Sequence, residues 1–166
     1  LIAERELFPD PFRSALMEGG VSLGKDMLDR QFDFENGSLL GAVGGVNTGD
    51  SLAAIKDLVF DKKKYTMAEL LTALDANWEG YEKMRTDFIA VPKYGNNEDM
   101  PDQLVAEVYK FFADTCATMD TAYGGKVVPN AISISAHQPG GASTGATPDG
   151  RRTGEVLADA SLSPDH

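Results

Sequence analysis

The stretch PNAISISAH, residues 129–137, constrains the fold of this chain more than any other. Ile132 and Ile134 alternate with Ser133 and Ser135, the two-residue period of a β-strand with one apolar face. A strand cannot satisfy its own backbone N–H and C=O groups, so it requires neighbours. No other segment alternates with comparable regularity, and residues 138–166 follow it with neither a helical nor a strand period. A tail of that length without an element of its own is foreign to a compact domain. The sequence therefore predicts an excerpt, a strand whose sheet partners lie outside the chain.

Upstream, the periodicity is helical. Asp10 and Pro11 read as an N-cap and first helical position, and Phe12, Leu16, Val21 and Leu23 continue an imperfect stripe toward Asp29, weakened by Gly19 and Gly20. The segment FENGSLLGAVGGVNTGD, 34–50, sets five glycines among small and apolar residues, which predicts a joint of close backbone approach and no regular element. Leu52, Ile55, Leu58 and Val59 resume the helical period over 51–60, with Thr48 or Asp50 as its cap. Thr66 and Glu69 form a capping box ahead of Leu70, Leu71, Leu74, Trp78, Tyr81, Met84 and Phe88, a helix that Gly80 bends and Pro92 ends. After the turn residues KYGNNEDMPD, Pro101 opens a helix with Leu104, Val108, Phe112 and Cys116 along one face.

At 166 residues and 42% hydrophobic, the chain is long enough for one globular domain. Its 26 acidic residues against 15 basic ones, a net charge of −11, argue against nucleic acid or an anionic membrane as the partner. The longest basic run, KKK at 62–64, reads as a solvated turn. No apolar stretch approaches the roughly 18–20 residues of a membrane span, and LIAERELFPD lacks the order of a signal peptide. A single cysteine forms no internal disulfide, in keeping with a cytoplasmic location.

Few residues invite a chemical role. Cys116 sits on the apolar stripe with no basic residue within a turn to lower its pKa, and reads as a buried core thiol. His137, at the strand end, suits a proton donor, a substrate contact or a backbone hydrogen bond. Arg151 and Arg152 can either grip a carboxylate with a bidentate fork or, for Arg151, tie the loop together through Asp149 or Asp159. Two histidines 29 residues apart and one cysteine offer no metal-ligand spacing, and GAVGGVNTGD lacks the lysine of a phosphate loop.

Three blocks carry a resemblance: GDSLAAIKDLVF at 49–60, VPKYGNNED at 91–99, and 127–166 with its G-x-T-P-D-G-R signature at 145–151. Together they resemble the corresponding segments of glycyl radical enzymes of the pyruvate formate-lyase type, over nearly the whole chain. The resemblance implies an α/β fold, part of a ten-stranded α/β barrel: helical over 10–120, with a barrel strand near 130–137 and an irregular loop completing 127–166. In that family a glycyl radical, installed by a radical SAM activating enzyme, oxidises a cysteine whose thiyl radical takes a hydrogen atom from the substrate. Neither the G-C-x-E cysteine loop nor the R-V-x-G-Y glycyl motif is present; Cys116 lies in DTCATM, and Tyr123, Gly124 and Gly125 do not match the latter.

The resemblance thus implies a segment between those two parts, binding no cofactor itself and catalytically silent alone. It implies a full-length anaerobic, cytoplasmic homodimer, formate acetyltransferase-like or a lyase, whose partners are its activating enzyme and a small organic substrate. In diol-dehydrating relatives the positions matching Ile132 and Ile134 touch substrate, commonly with a tyrosine at the first. Two isoleucines cannot hydrogen-bond a hydroxyl, at a cost of order 1–3 kcal/mol per unpaired group. That favours an aryl- or alkyl-bearing substrate or a small 2-oxo acid over a diol or choline; packing of the barrel core is the other reading of this pair. Ile132, Ile134 and His137 are then the expected cavity wall, and Gly145, Pro148, Asp149, Gly150 and Arg151 the structural loop. From another class, a stand-alone helical interaction domain without catalysis remains the alternative.

Overall fold

The computed structural model describes residues 6–27, 38–121, 125–131 and 136–158. The chain divides into two compact units, Leu1–Leu40 with Ala113–Asn130 and Gly41–Phe112 with Ala131–His166.

In the first unit the Asp10 carboxylate accepts the Arg13 N–H at 3.1 Å and Pro11 takes the first position of α1, Pro11–Leu16. The helix does not run on toward Asp29. Met17 leaves the helical region, Gly19 adopts a φ of +80°, and a single turn, α2 (Gly20–Leu23), follows. A Cβ on Gly20 would stand 1.7 Å from the Ser14 carbonyl oxygen, so the two turns meet only over glycine. Strand β1 (Ser38–Gly41) pairs with β2 (Val127–Asn130) in a two-stranded sheet. The glycine-rich segment therefore does contain regular structure. Of the predicted strand, Pro129 and Asn130 belong to β2, Ile132 and Ile134 lie outside the described residues, and His137 opens a helix, α7 (His137–Ser143), most of it in a stretch where the sequence shows no element.

The second unit is built on α3, Gly45–Ile55, which starts several residues before the predicted cap. Packing explains the early start. A Cβ on Gly45 would lie 2.7 Å from the Tyr109 ring, and one on Gly49 would lie 2.3 Å from Val105 Cγ2, so the glycines let α3 press against α6 (Asp99–Ala117). Along α6 the deeply buried positions are Pro101, Val105 and Cys116, while Leu104, Val108 and Phe112 are half-buried. The buried line is rotated from the predicted stripe because Val105 fills the groove at Gly49. Beyond Ile55 the backbone continues as a π-helical segment, Lys56–Asp61. Lys56 pairs with Asp61, and Lys62 with Asp57, each at 2.6 Å and each five residues apart.

Helix α4, Met67–Asp75, has the predicted capping box: Thr66 Oγ1 accepts the Glu69 N–H at 3.2 Å, and the Glu69 carboxylate accepts the Thr66 N–H at 2.8 Å. The sequence predicts one helix through Phe88; the structure breaks it. Asn77 and Trp78 take φ values of 51° and 64°, and a separate helix α5 spans Glu82–Ile89. A left-handed non-glycine residue costs about 1–2 kcal/mol. Full burial of an indole recovers about 4–6 kcal/mol at 25 cal/mol per Å², and Trp78 is fully buried against Phe88 with ring centroids 5.6 Å apart. Around that pair the core gathers Ala54, Leu58, Leu70, Ala73, Met84 and Val91.

Candidate functional site

The most elaborate polar arrangement in the second unit lies where residues 144–158, irregular as the sequence predicts, meet α3, α5 and the Asn77–Trp78 turn. Arg151 is 1% exposed, and its guanidinium is spread over main-chain acceptors. Nη1 donates to the carbonyls of Gly141 (3.4 Å), Arg152 (3.1 Å) and Glu155 (2.6 Å). Nη2 donates to those of Thr144, at 3.1 Å, and Gly145, and Nε donates to Thr147 Oγ1 at 3.2 Å. All five N–H groups thus face acceptors inside the loop, which removes Arg151 from the carboxylate-gripping role.

Asp149, equally buried, is the second centre. Its carboxylate accepts the Thr147 hydroxyl, the Arg151 N–H at 3.2 Å and Asn47 Nδ2 at 2.7 Å. Asn47, on α3, also accepts the Ala158 N–H at 2.7 Å, so one amide side chain joins α3 to the middle and the end of the loop. From the other side the Trp78 indole N–H donates to the Arg151 carbonyl at 3.2 Å, Arg85 Nε to the Gly150 carbonyl at 2.7 Å, and the Thr153 N–H to Asn77 Oδ1 at 2.8 Å. Gly150 is needed in this crowd: its φ is +102°, and a Cβ would lie 2.3 Å from Ile89 Cγ1.

A second polar cluster ties the 49–60 and 91–99 blocks together. Asp50, fully buried on α3, accepts the Tyr94 N–H at 2.8 Å. Neighbouring Lys93, 2% exposed, donates to the carbonyls of Phe88 (3.0 Å), Ile89 (2.8 Å) and Val91 (2.7 Å), closing the C-terminal end of α5. On the surface, the Lys64 ammonium 2.7 Å away and the Tyr65 hydroxyl hold the Asp87 carboxyl down at about 2. Burial, and then the bond to Asp87, push the Tyr65 phenol up to about 12.

The residues singled out from sequence fall into three groups. Gly145, Pro148, Asp149, Gly150 and Arg151 come together in the loop network. His137 stands at the first position of α7, half-buried, with its carbonyl accepting the Leu157 N–H at 3.2 Å. Ile132 and Ile134, and with them the tyrosine question, lie outside the described residues, as does Asp159. Asn47, Trp78 and Arg85 carry no site motif, and Asp50 reads from sequence only as a helix cap within the 49–60 block, because their partners lie 102, 73, 65 and 44 residues away. A cleft of about 280 Å³ runs beside the network, lined by Gly44, Asn47, Thr48, Ser51, Thr147 and Leu157 among others. Among the described residues no three His, Cys, Asp or Glu side chains group as metal ligands, and no helix is long and apolar enough to cross a membrane.

The blocks so connected are the ones that carry the resemblance, and comparison with known proteins decides it. The model of the pyruvate formate lyase-like family matches residues 2–141. The chain belongs to the pyruvate formate lyase-like family. It is 36% identical over 166 residues to the (2S)-3-sulfopropanediol dehydratase of Klebsiella oxytoca, a match covering 99% of this chain and 20% of that protein. It is 32% identical over 184 residues to the indoleacetate decarboxylase of Tractidigestivibacter scatoligenes, covering 96% of this chain and 21% of that one. Among solved structures, the glycerol-bound B12-independent glycerol dehydratase from Clostridium butyricum aligns with a TM-score of 0.85 at 34% identity, over 95% of this chain and 20% of its own. These relatives are glycyl radical enzymes, and the chain spans about a fifth of their length. Its fold class is accordingly α/β, a portion of the barrel that such enzymes build.

Proposed function

We propose that this chain is a cavity-wall segment of a glycyl radical enzyme that abstracts a hydrogen atom from a small organic substrate and then breaks or forms a bond, as a dehydratase or decarboxylase does. The observation that carries this reading is the match of nearly the whole chain to about a fifth of proteins with those activities. Elsewhere in the full-length protein lie the thiyl cysteine and the radical glycine. Cys116 does not fill the first role, because a thiol 1% exposed on the packed face of α6 offers no approach to a substrate. The parent is a cytoplasmic homodimer charged by a radical SAM activating enzyme, and the 166 residues alone are inactive, since abstraction needs both radical partners in one water-excluding cavity.

Within that reading the loop network has a clear use. It fixes the main chain from His137, the described residue of the proposed wall, and a wall held to a few tenths of an ångström is what orientation-dependent hydrogen abstraction requires. Ile132 and Ile134 make that wall apolar, which favours a substrate with an aryl or alkyl part, in the manner of an arylacetate, over a bare diol. Fully exposed apolar side chains such as Phe8, Phe12, Leu16 and Val21 in the first unit, each more than 70% exposed, supply surface for the rest of the parent to cover. The test is a substrate panel on the anaerobically activated full-length protein, wild type against Ile132→Tyr. The substitution is expected to shift preference toward hydroxylated substrates; an unchanged ranking removes Ile132 from the wall.

A further inference from the structure

The acceptors of Arg151 lie on both sides of the exit from α7: Gly141 within the helix, Thr144 and Gly145 just after it, Arg152 and Glu155 beyond. Residues 155–157 in turn lie against the helix. A Cβ on Gly141 would stand 2.2 Å from the Glu155 carbonyl oxygen, and Leu157 donates its N–H to the His137 carbonyl at 3.2 Å. Helix α7 is therefore attached by main chain at its first residue and at its last turn, in each case to a stretch that the guanidinium holds.

A second element braces the same point. Trp78 keeps a left-handed backbone although it is a bulky residue, and such strain persists only where the surroundings over-determine it. What that conformation achieves is to aim the indole N–H at the Arg151 carbonyl, while Arg85 holds the adjacent Gly150 carbonyl. The strained turn and Arg85 thus hold two successive carbonyls, those of Arg151 and Gly150, while the Arg151 guanidinium holds the carbonyls around them.

We infer that Arg151 is a positioning residue, acting through the main chain of α7 to set where His137 stands in the reaction of the full-length enzyme. This rests on the cavity-wall reading above. Arg151 itself does not touch substrate, its five N–H groups being directed at the loop. A rigid planar fork reaches the carbonyls of five residues and one hydroxyl; a lysine ammonium has three donors at a single point and cannot.

The experiment measures kcat per glycyl radical, and KM, for the activated full-length protein as wild type, Arg151→Lys, His137→Gln and the double variant. Each single substitution is expected to lower kcat per radical about tenfold or more, with KM moving less than about threefold. The double variant is expected to be no worse than the poorer single, because both act at one group. Multiplicative losses, or wild-type kcat in either single variant, overturn the inference. A merely structural arginine gives a third pattern, fewer radicals per chain with unchanged kcat per radical, which also overturns it. Trp78→Phe covers the case in which Arg151→Lys does not fold: it keeps an aromatic side chain but loses the indole N–H together with part of the bicyclic ring, with an expected fall of about two- to fivefold that vanishes in the His137→Gln background. Hydrogen exchange separates this inference from the reading beneath it. A wild type that carries no radical refutes the cavity wall, whereas unchanged exchange of the 137–143 amides in Arg151→Lys refutes the clamp whatever the reaction.

Discussion

Helix α4 and the loop 144–158 belong to the same compact unit and are held in shape by opposite means. In α4 the deciding hydrogen bonds join Thr66 to Glu69, three residues apart, and the helix period does the rest. In the loop they join Asn47 to Asp149 and to Ala158, and Trp78 to Arg151, across 102, 111 and 73 residues. An element closed by local bonds announces itself in sequence; one closed by distant bonds shows only composition. The difference also predicts what each tolerates, since a local element loses one bond at a time and a knotted loop loses several together.

The sharpest way to break the comparison is Arg151→Met. Removing a buried cation that serves six acceptors leaves five main-chain carbonyls and the Thr147 hydroxyl without that donor, with an expected loss of about 3–5 kcal/mol in urea unfolding. Gly49→Ala comes next. In an open helix that change gains about 1 kcal/mol, but here the new methyl meets Val105 Cγ2 at 2.3 Å and its backbone at 3.0 Å, so the sign reverses to a loss of about 1–3 kcal/mol. Thr66→Ala removes only a cap, and the same unfolding measurement is expected to register about 1 kcal/mol.

The smallest effect concerns pH. Asp87 titrates near 2 in the folded chain instead of its ordinary 3.8, so the folded state binds that proton more weakly than the unfolded one. Its contribution is therefore fully present above pH 4 and fades as pH falls toward 2. Asp87→Asn is expected to flatten the acid limb of a stability-against-pH curve in that window and leave its slope near pH 7 unchanged. A variant curve that runs parallel to the wild type at all pH values contradicts the assignment.

How much could be read from residues alone follows the same division. The cap at Asp10, the capping box at Thr66 and the helix around Pro101 were legible, because each depends on neighbours in sequence, whereas the element-free tail predicted for 138–166 holds over 144–158 but misses helix α7 at its start. The early start of α3 was hidden, since it depends on glycines facing Val105 and Tyr109 on a helix more than fifty residues later. So was the break at Asn77–Trp78, where burial of one indole outweighs helical periodicity. The alternation that places a strand at 129–137 rests on Ile132 and Ile134, which lie outside the described residues; of that span Pro129 and Asn130 belong to β2 and only the last residue, His137, belongs to a helix. In the candidate site the loop signature was visible, whereas Asn47, Trp78 and Arg85 carry no motif and Asp50 showed only as a helix cap, and only folding brings them to Asp149, Arg151, Gly150 and Tyr94.

The central claim, that these residues form a wall and not a radical centre, is most directly tested by electron paramagnetic resonance. The 166-residue chain and the full-length protein are each treated anaerobically with the activating enzyme and S-adenosylmethionine. A glycyl doublet with substrate turnover in the full-length protein, and neither in the chain alone, is the expected result. A glycyl signal or turnover from the 166 residues by themselves would contradict it.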